Sequence, residues 1–224
     1  MPRGRHLRQL SAAPPDSETA VRYLLLWDDK TLHQSPASYP SLSSPTLFQN
    51  DHPLELEVGC GSGHFLCAKA ADNPNINFIG VEISSKRLYA AVQTAVSHNL
   101  NNIKFIRADF KLLYPLLVAD SLTAVYLHFP DPHKPKFHKR RIVDQPFLDH
   151  IWVAMRIGAN LSIMTDEEPF LLDMLALVEE NGRFANPNPN RYTVGFDTTA
   201  KSRYQKMWEA RGLTTVHFIV TKQT

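Results

Sequence analysis

From Leu54 onward, the chain alternates between short apolar runs and longer stretches in which apolar residues recur every three or four positions. The first run places Leu54, Leu56 and Val58 at every second position, as expected for a β-strand. The same patterns predict strands at 54–58, 77–81, 103–108, 124–129, 160–164 and 214–220. They predict helices at 63–72, 86–99, 111–118, 139–155, 169–181 and 200–210. Strands that alternate with helices are typical of an α/β fold with a doubly wound, mostly parallel sheet.

The first 53 residues show no comparable pattern. Ser/Pro clusters at 11–15 and 35–45 flank a single apolar patch at 21–27. Such a composition favours loops over packed elements. We therefore interpret 1–53 as an irregular N-terminal tail with room for a short ordered piece, and 54–224 as one domain.

Composition and charge narrow the range of functions. A chain of 224 residues is long enough for one well-buried domain. Its formal net charge of +2 gives no global basic field, so contact with a polyanion has to come from local clustering. Only two cysteines occur, without a Cys-x-x-Cys pair, which favours a reducing, cytoplasmic location and no thiolate metal site. No apolar run approaches the ~20 residues of a membrane span, and the basic start leaves an organelle-targeting leader open.

A glycine-rich turn joins the first predicted strand to the first predicted helix. Gly59, Gly61 and Gly63 differ in spacing from the G-x-G-x-x-G of dinucleotide-binding turns, and no P-loop lysine follows. Glycines at this place allow a tight turn and let a ligand lie against bare backbone. The turn therefore predicts a cofactor site without specifying the cofactor.

Three carboxylates indicate which cofactor this site takes. Glu57, Glu82 and Asp109 each end one of three successive predicted strands, and the carboxyl ends of parallel strands meet at one crevice. Such a row repels the phosphates of NAD or ATP but suits a cationic sulfonium nucleoside, so we predict S-adenosylmethionine. Glu82 follows the turn at the distance, on the order of 20 residues, where a carboxylate takes ribose hydroxyls. The alternative is that these acids lie on the surface or cap helices.

A carboxylate that lies between two prolines is followed by a run of basic residues, here called the basic run. Asp131 lies between Pro130 and Pro132, which restrict the backbone and aim the side chain. The run comprises Lys134, Lys136, Lys139, Arg140 and Arg141. We expect these cations to contact the phosphates of a nucleic acid without reading its sequence, and Asp131 to orient one base. The alternatives are an N-cap for the next helix and a solvated helix face.

Three histidines and a further aspartate lie near these motifs or at the end of another predicted strand. His128, His133 and His138 share no helix face in a proline-rich stretch, so we predict no metal site. Asp166, after the fifth predicted strand, either accepts a hydrogen bond from a base amino group or caps the following helix.

These motifs resemble those of the bacterial tRNA (guanine-N7-)-methyltransferases, which are class I S-adenosylmethionine-dependent enzymes. The motifs are L-E-V-G-C-G at 56–61, N-F-I-G-V-E at 77–82, F-P-D-P at 129–132, K-R-R-I at 139–142 and T-D at 165–166. The resemblance implies a Rossmann-like, seven-stranded sheet whose last strand is antiparallel. It also implies transfer of a methyl group from S-adenosylmethionine to N7 of a guanosine in tRNA, with S-adenosylhomocysteine as product. No metal, no membrane and a monomer or homodimer are expected.

The resemblance also implies a role for each matching residue. The cofactor would be held by Glu57, Gly59, Gly61, Glu82, Asp109 and Asp131, the last being the active-site acid. The target guanosine would be contacted by Lys134, Lys136, Asp166, Ser202 and Gln205, and the RNA backbone by Lys139, Arg140 and Arg141. Guanine N7 is an unprotonated lone pair. Its methylation therefore requires positioning and stabilisation of positive charge on the ring, rather than a general base.

Three positions depart from the family pattern. His133 replaces a tryptophan, Ser202 a threonine and Gln205 a glutamate. The amide of Gln205 accepts hydrogen bonds with one oxygen, whereas a carboxylate accepts with two. The hydrogen bonds to a guanine edge would therefore be weaker. These departures leave two alternatives open. One is an S-adenosylmethionine-dependent N-methyltransferase for a small purine-like or heteroaromatic substrate, and the other is a non-catalytic RNA-binding relative.

Overall fold

A mostly parallel sheet with helices on both faces forms the body of the protein in the computed structural model, which describes residues 12–131, 141–195, 200–201 and 203–224. Its strands are β1 (Leu24–Leu26), β2 (Leu54–Val58), β3 (Asn77–Glu82), β4 (Ile103–Arg107), β5 (Leu122–His128), β6 (Met155–Thr165), β7 (Phe184–Ala185), β8 (Thr193–Val194) and β9 (Val216–Lys222). Its helices are α1 (Ser17–Tyr23), α2 (Asp29–Gln34), α3 (Ser44–Phe48), α4 (His64–Asp72), α5 (Ser85–Ser97), α6 (Gln145–Ala154), α7 (Glu168–Asn181) and α8 (Arg203–Glu209). The described residues also form 3-10 helices at Pro36–Ser38 and Phe110–Leu116.

The order of the strands places a crevice in the middle of the sheet. From one edge to the other the order is β1-β4-β3-β2-β5-β6-β9-β7, with β8 also paired to β9. Neighbouring strands from β1 to β6 are parallel, and β9 runs antiparallel to β6. The chain builds outward from β2 to β3 and β4, and then crosses to β5 on the other side of β2. Ligands of such sheets bind at this reversal, outside the carboxyl ends of the strands.

The predicted fold class is confirmed, with a different number of strands. The α/β, doubly wound sheet has the expected antiparallel last strand. Across the described residues the sheet has nine strands rather than seven, because β1 is added beside β4 and β8 lies beside β9. Strands of two or three residues are too short to produce a readable alternation in the sequence.

The N-terminal segment is more ordered than the irregular tail that we predicted. Its strand β1 pairs in parallel with β4, and Trp27, Leu32 and Leu42 are buried in the main hydrophobic core. The Asn77 side-chain amide on β3 donates to Ser44 Oγ at 2.9 Å, which ties α3 to the sheet. The described part of this segment is therefore integrated into the domain.

Several predicted elements differ in their ends or type. α6 begins at Gln145 rather than at 139, because Asp144 caps it by accepting from the Phe147 N–H at 2.9 Å. The helix predicted at 111–118 is a 3-10 helix that contains Pro115, which cannot donate an α-helical hydrogen bond. β6 starts at Met155 rather than at 160.

The glycine-rich turn packs directly against the sheet. The Cys60 thiol lies so close to β3 that a Cβ added at Gly80 would be 2.7 Å from Sγ. Cys60 and Cys67 are both buried and free.

Among the described helices, none is long and apolar enough to cross a membrane.

Candidate active site

Five carboxylates lie at the ends of five adjacent strands. In the order of the sheet, they are Asp109 after β4, Glu82 on β3, Glu57 on β2, Asp131 after β5 and Asp166 after β6. All five strands are parallel, so their carboxyl ends lie at one edge of the sheet, here called the carboxyl edge. The topology thus brings together the strand ends that carry the predicted acids.

Glu57 is the most deeply buried of these acids. It is 3% exposed, and its Oε2 atom has no hydrogen-bond partner among the described residues. Burial, together with the negative charge of Glu82, raises the pKa of the Glu57 carboxyl to about 8. An unsatisfied buried acceptor costs about 1–3 kcal/mol, so a ligand that supplies a donor would explain it. Glu57 therefore marks a position for a donating or cationic group.

Glu82 is held in a fixed position near Glu57. It is 5% exposed, and its Oε1 accepts from the Ser84 backbone N–H at 2.9 Å. Its Oε2 lies 3.4 Å from Arg87 Nη1. The next residue, Ile83, is 66% exposed at the carboxyl edge, and nothing in the sequence pattern had marked it as part of the site. A fixed carboxylate beside an exposed apolar side chain can bind the hydroxyls and the base of a nucleoside.

The glycine-rich turn leaves open space next to these acids. The N–H groups of Gly59 and Cys60 donate to Val81 O at 2.8 and 3.0 Å, which fixes the turn to β3. Gly59 (φ 79°) and Gly61 (φ 56°) adopt left-handed backbone that glycine favours. A Cβ added at either glycine would meet no described atom within 4 Å. This open cradle and the unsatisfied Glu57 oxygen together fit a nucleoside cofactor.

A matched pair of glycine substitutions tests the cradle. Gly158 lies near the start of β6, at the opposite end of that strand from the carboxyl edge. Its φ of 80° matches the 79° of Gly59, and a Cβ added there also meets no described atom within 4 Å. We expect Gly59→Ala and Gly158→Ala to lower the free energy of unfolding alike, by ~1–2 kcal/mol, since both force alanine into left-handed backbone. Only Gly59→Ala should weaken binding of S-adenosylhomocysteine, by roughly tenfold (about 1.4 kcal/mol).

Calorimetric titration and urea unfolding of both variants separate the two effects. An equal change in affinity at Gly59 and Gly158 would mean that the turn holds no cofactor.

Asp109 caps the second 3-10 helix. It is exposed, and its Oδ1 accepts from the Lys111 N–H at 3.0 Å. The capping alternative therefore holds for this acid. Its contact with a cofactor stays a prediction, based on its place two residues after β4 at the carboxyl edge.

The chain turns sharply between β5 and Asp131. Phe129 has φ 54°, which is uncommon for a residue other than glycine, and its N–H donates to Met164 O at 2.7 Å. Strained backbone of this kind clusters at functional sites, where the surrounding structure fixes it. Asp131 is exposed beyond this turn.

Several predicted contacts of the tRNA lie outside the described residues, so their roles stay predictions. They are Lys134, Lys136, Lys139, Arg140 and Ser202.

A buried polar chain, which the sequence did not reveal, supports the end of β5. His128 Nε2 lies 3.2 Å from Ser162 Oγ, which lies 2.9 Å from His217 Nε2. Burial lowers the pKa of His128 to about 3 and that of His217 to about 4, so both rings are neutral at pH 7. The chain links β5, β6 and β9 beneath the strand end that precedes Asp131.

Asp166 and Gln205 are the described candidates for contact with the base. Asp166 is half-buried after β6, and the N-cap residue of α7 is Glu167 rather than Asp166. Gln205 is buried on α8, and its Nε2 donates to Glu209 Oε1 at 3.1 Å. This hydrogen bond fixes the orientation of the amide.

Arg141 is the one member of the predicted basic run that falls within the described residues. Its Nη1 lies 2.9 Å from Asp173 Oδ2 on α7.

As for metals, the described part of the chain contains no group of three or more His, Cys, Asp or Glu side chains that could hold an ion. His133 and His138 lie outside that part.

Comparisons with known proteins identify the class of this protein. A sequence profile described as "Putative methyltransferase" matches residues 51–217. A solved 16S rRNA methyltransferase shares the fold, with a TM-score of 0.58 at 12% identity over 79% of this chain and 91% of that chain. The sheet and its glycine-rich turn are thus those of a Rossmann-like methyltransferase.

Two relatives define the family more closely. A tRNA (guanine-N(7)-)-methyltransferase from Rubrobacter xylanophilus is 46% identical over 215 residues, which cover 96% of each chain. Another, from Chloroherpeton thalassium, is 36% identical over 222 residues, which cover 99% of this chain and 98% of the relative. The chain belongs to the tRNA (guanine-N(7)-)-methyltransferase family. The resemblance seen in the motifs is confirmed, and it extends through the N-terminal segment.

Proposed function

We propose that this protein transfers a methyl group from S-adenosylmethionine to N7 of a guanosine in tRNA. The relatives that it matches are named for methylation of guanine N7 in tRNA. The observation that carries the cofactor assignment is the Glu57 carboxyl, which is buried near Glu82 beside the open turn and has an oxygen with no described partner. Two buried acids disfavour a cofactor that bears phosphates and favour one that bears positive charge.

Groups from two neighbouring strand ends and the turn would hold the cofactor. Bound S-adenosylmethionine supplies the methyl group from its sulfonium centre. Glu57 would ionise against the positive charge of the ligand, and Glu82 would accept from ribose hydroxyls. The backbone at Gly59 and Gly61 would lie against the ligand, and Ile83 would cover the base with apolar surface. Asp109 would border the same crevice.

Asp131 would orient the guanine. Because N7 already carries a lone pair, no proton has to be removed before the methyl group is transferred. The ring gains positive charge as the new bond forms, and a carboxylate fixed near the ring stabilises that charge. Phe129 and Pro130 position Asp131 for this task by fixing the backbone before it.

The remaining predicted residues would bind the tRNA. Asp166 and Gln205 would accept from the N–H donors of the guanine edge, with the Gln205 amide held by Glu209. Ser202, Lys134 and Lys136 would also contact the target guanosine, and Lys139 and Arg140 the backbone phosphates. Such a substrate fits the cytoplasmic location predicted from the cysteine usage.

The two alternatives are less well supported. Gln205 and His133 had left room for a small heteroaromatic substrate, but the relatives that match nearly the whole chain are named as tRNA enzymes. The same names disfavour a non-catalytic RNA-binding protein. The open turn beside Glu57 also favours a protein that binds a cofactor.

A methylation assay tests the proposal. The protein is incubated with S-adenosylmethionine labelled in its methyl group and with unmodified tRNA transcribed in vitro. We expect the label in 7-methylguanosine after digestion to nucleosides, and none in free guanosine offered instead of tRNA. Label in the free nucleoside alone would support the small-substrate alternative. Binding of tRNA without any binding of the cofactor would support the non-catalytic one.

A further inference from the structure

Arg141 is bound to α7 by an ion pair and an aromatic contact. Its Nη1 lies 2.9 Å from Asp173 Oδ2, and the centre of its guanidinium lies 5.0 Å from the ring centroid of Phe170. Phe170 belongs to the main hydrophobic core. The Arg141 side chain is only 18% exposed, whereas that of Asp173 is 56% exposed. Arg141 therefore occupies a defined site on the helix.

This environment is poorly suited to a phosphate ligand. An arginine that grips phosphate presents a fork of exposed N–H groups. Arg141 instead gives one nitrogen to Asp173, and its Nε is buried without a hydrogen-bond partner in the described structure. Turning the side chain out to solvent would break the ion pair and the cation–π contact and would uncover Phe170.

The residues that follow Arg141 belong to the packed body of the protein. The next two residues, Ile142 and Val143, pack in the main hydrophobic core. Before the basic run, the Phe129 N–H is bonded to Met164 O on β6, and α7 follows β6 directly along the chain. The chain on both sides of residues 130–140 is therefore attached to the same unit, β6 with α7.

We infer that Arg141 is a positioning residue: it holds the chain at residue 141 to α7 and so fixes the downstream end of the basic run for contact with the tRNA. The inference rests on the proposed function, since it assigns the tRNA contact to those cations. It replaces the phosphate contact predicted for Arg141 from the sequence. The two roles predict opposite effects of changing Asp173, the partner of Arg141.

The test compares Arg141→Gln with Asp173→Asn in the full chain. A positioning role predicts that both substitutions raise KM for tRNA alike, roughly three- to tenfold, with kcat nearly unchanged. The slope of log affinity against log salt should stay the same, because no phosphate contact is lost. Glu180→Gln removes one charge from the same helix and is the matched control. Exchanging the pair, Arg141→Asp with Asp173→Arg, should restore part of the affinity.

A phosphate role predicts a different pattern. Asp173→Asn would then bind tRNA as tightly as the unsubstituted protein or more tightly, and Arg141→Gln would lower the salt slope by about one. That pattern would overturn the inference. Limited digestion tests the ion pair without tRNA. Trypsin should cleave after Arg141 faster in Asp173→Asn than in Glu180→Gln, because Arg141 loses its partner only in the first variant, and equal rates would also overturn the inference. Failure of the unsubstituted protein to bind tRNA would instead refute the proposed function.

Discussion

Replacing Asp131 with asparagine is expected to lower kcat for methyl transfer to tRNA by about 10²- to 10³-fold while the fold persists. Asparagine keeps the size of the side chain and one acceptor oxygen but loses the negative charge. Positive charge appears on the guanine ring only as the methyl group is transferred. The carboxylate therefore stabilises the transition state more than the bound substrate, and the loss should fall on kcat rather than on KM.

Single-turnover rates on unmodified tRNA measure this effect, and thermal unfolding checks the fold. Asp72→Asn is a suitable control, because Asp72 is also exposed and lies at the end of α4 remote from the glycine-rich turn. Full activity in Asp131→Asn would remove Asp131 from the mechanism.

Binding of the cofactor at pH 7 is expected to release about one proton, and Glu57→Gln should abolish that release. With a pKa of about 8, the Glu57 carboxyl is mostly protonated at pH 7 in the unliganded protein. Positive charge on a bound ligand favours the ionised carboxylate, so the proton leaves as the ligand binds. Loss of this charge-assisted contact should weaken affinity for the cofactor roughly 10- to 100-fold, or about 1.5–3 kcal/mol.

Calorimetry in two buffers that differ in ionisation enthalpy counts the released protons. Glu55→Gln is the matched control, since Glu55 is buried on the same strand but its carboxylate already contacts Lys69 at 3.0 Å and the Tyr126 hydroxyl at 2.9 Å. Unchanged proton release in Glu57→Gln would show that a different group titrates and that Glu57 does not face the cofactor.

The raised pKa of Glu57 also sets the sign of a stability effect in the unliganded protein. Its folded value of about 8 lies above the ~4.3 of an unfolded glutamate. Between these values the folded state holds a proton that the unfolded state has lost, so the free energy of unfolding should fall as pH rises from about 4.3 to about 8. Glu57→Gln should reduce this decline. Urea unfolding at pH 5 and pH 8 provides the measurement, and an identical decline in both proteins would contradict the assignment.

The sequence was sufficient to predict the centre of the sheet and the acids at its edge. Strands β2 to β5 carry apolar runs of readable length, and Glu57 and Glu82 lie at or next to their ends. Because parallel strands align their carboxyl ends, local patterns alone predicted that these side chains meet. The predicted cofactor, a cationic nucleoside, then rested on the sign of their charge.

The N-terminal segment could not be predicted in the same way. Its helices are five to seven residues long, too short for a readable period, and are capped by Asp16, Asp28 and Ser43. Ser43 lies in the Ser/Pro cluster that we interpreted as a loop, whereas its side chain begins α3 by accepting from the Thr46 N–H. Their burial depends on contact with strand β4 and the 3-10 helix far along the chain.

Arg141 illustrates a second limit of prediction from the sequence. A run of cations does not indicate which one is buried, because that depends on Phe170 and Asp173, about 30 residues later in the sequence. The left-handed backbone of Phe129 likewise depends on its bond to Met164 on the neighbouring strand. Local patterns thus predicted the acids at the strand ends, whereas tertiary contacts determine which side chains are buried or ion-paired.

A crystal structure of the protein with S-adenosylhomocysteine tests most directly whether the acids at the carboxyl edge hold a nucleoside cofactor. We expect ligand density along the turn at 59–61, with Glu82 on the ribose hydroxyls and a donor of the ligand at Glu57 Oε2. Ligand density elsewhere on the protein, with Glu57 still enclosed and without a donor, would contradict the account.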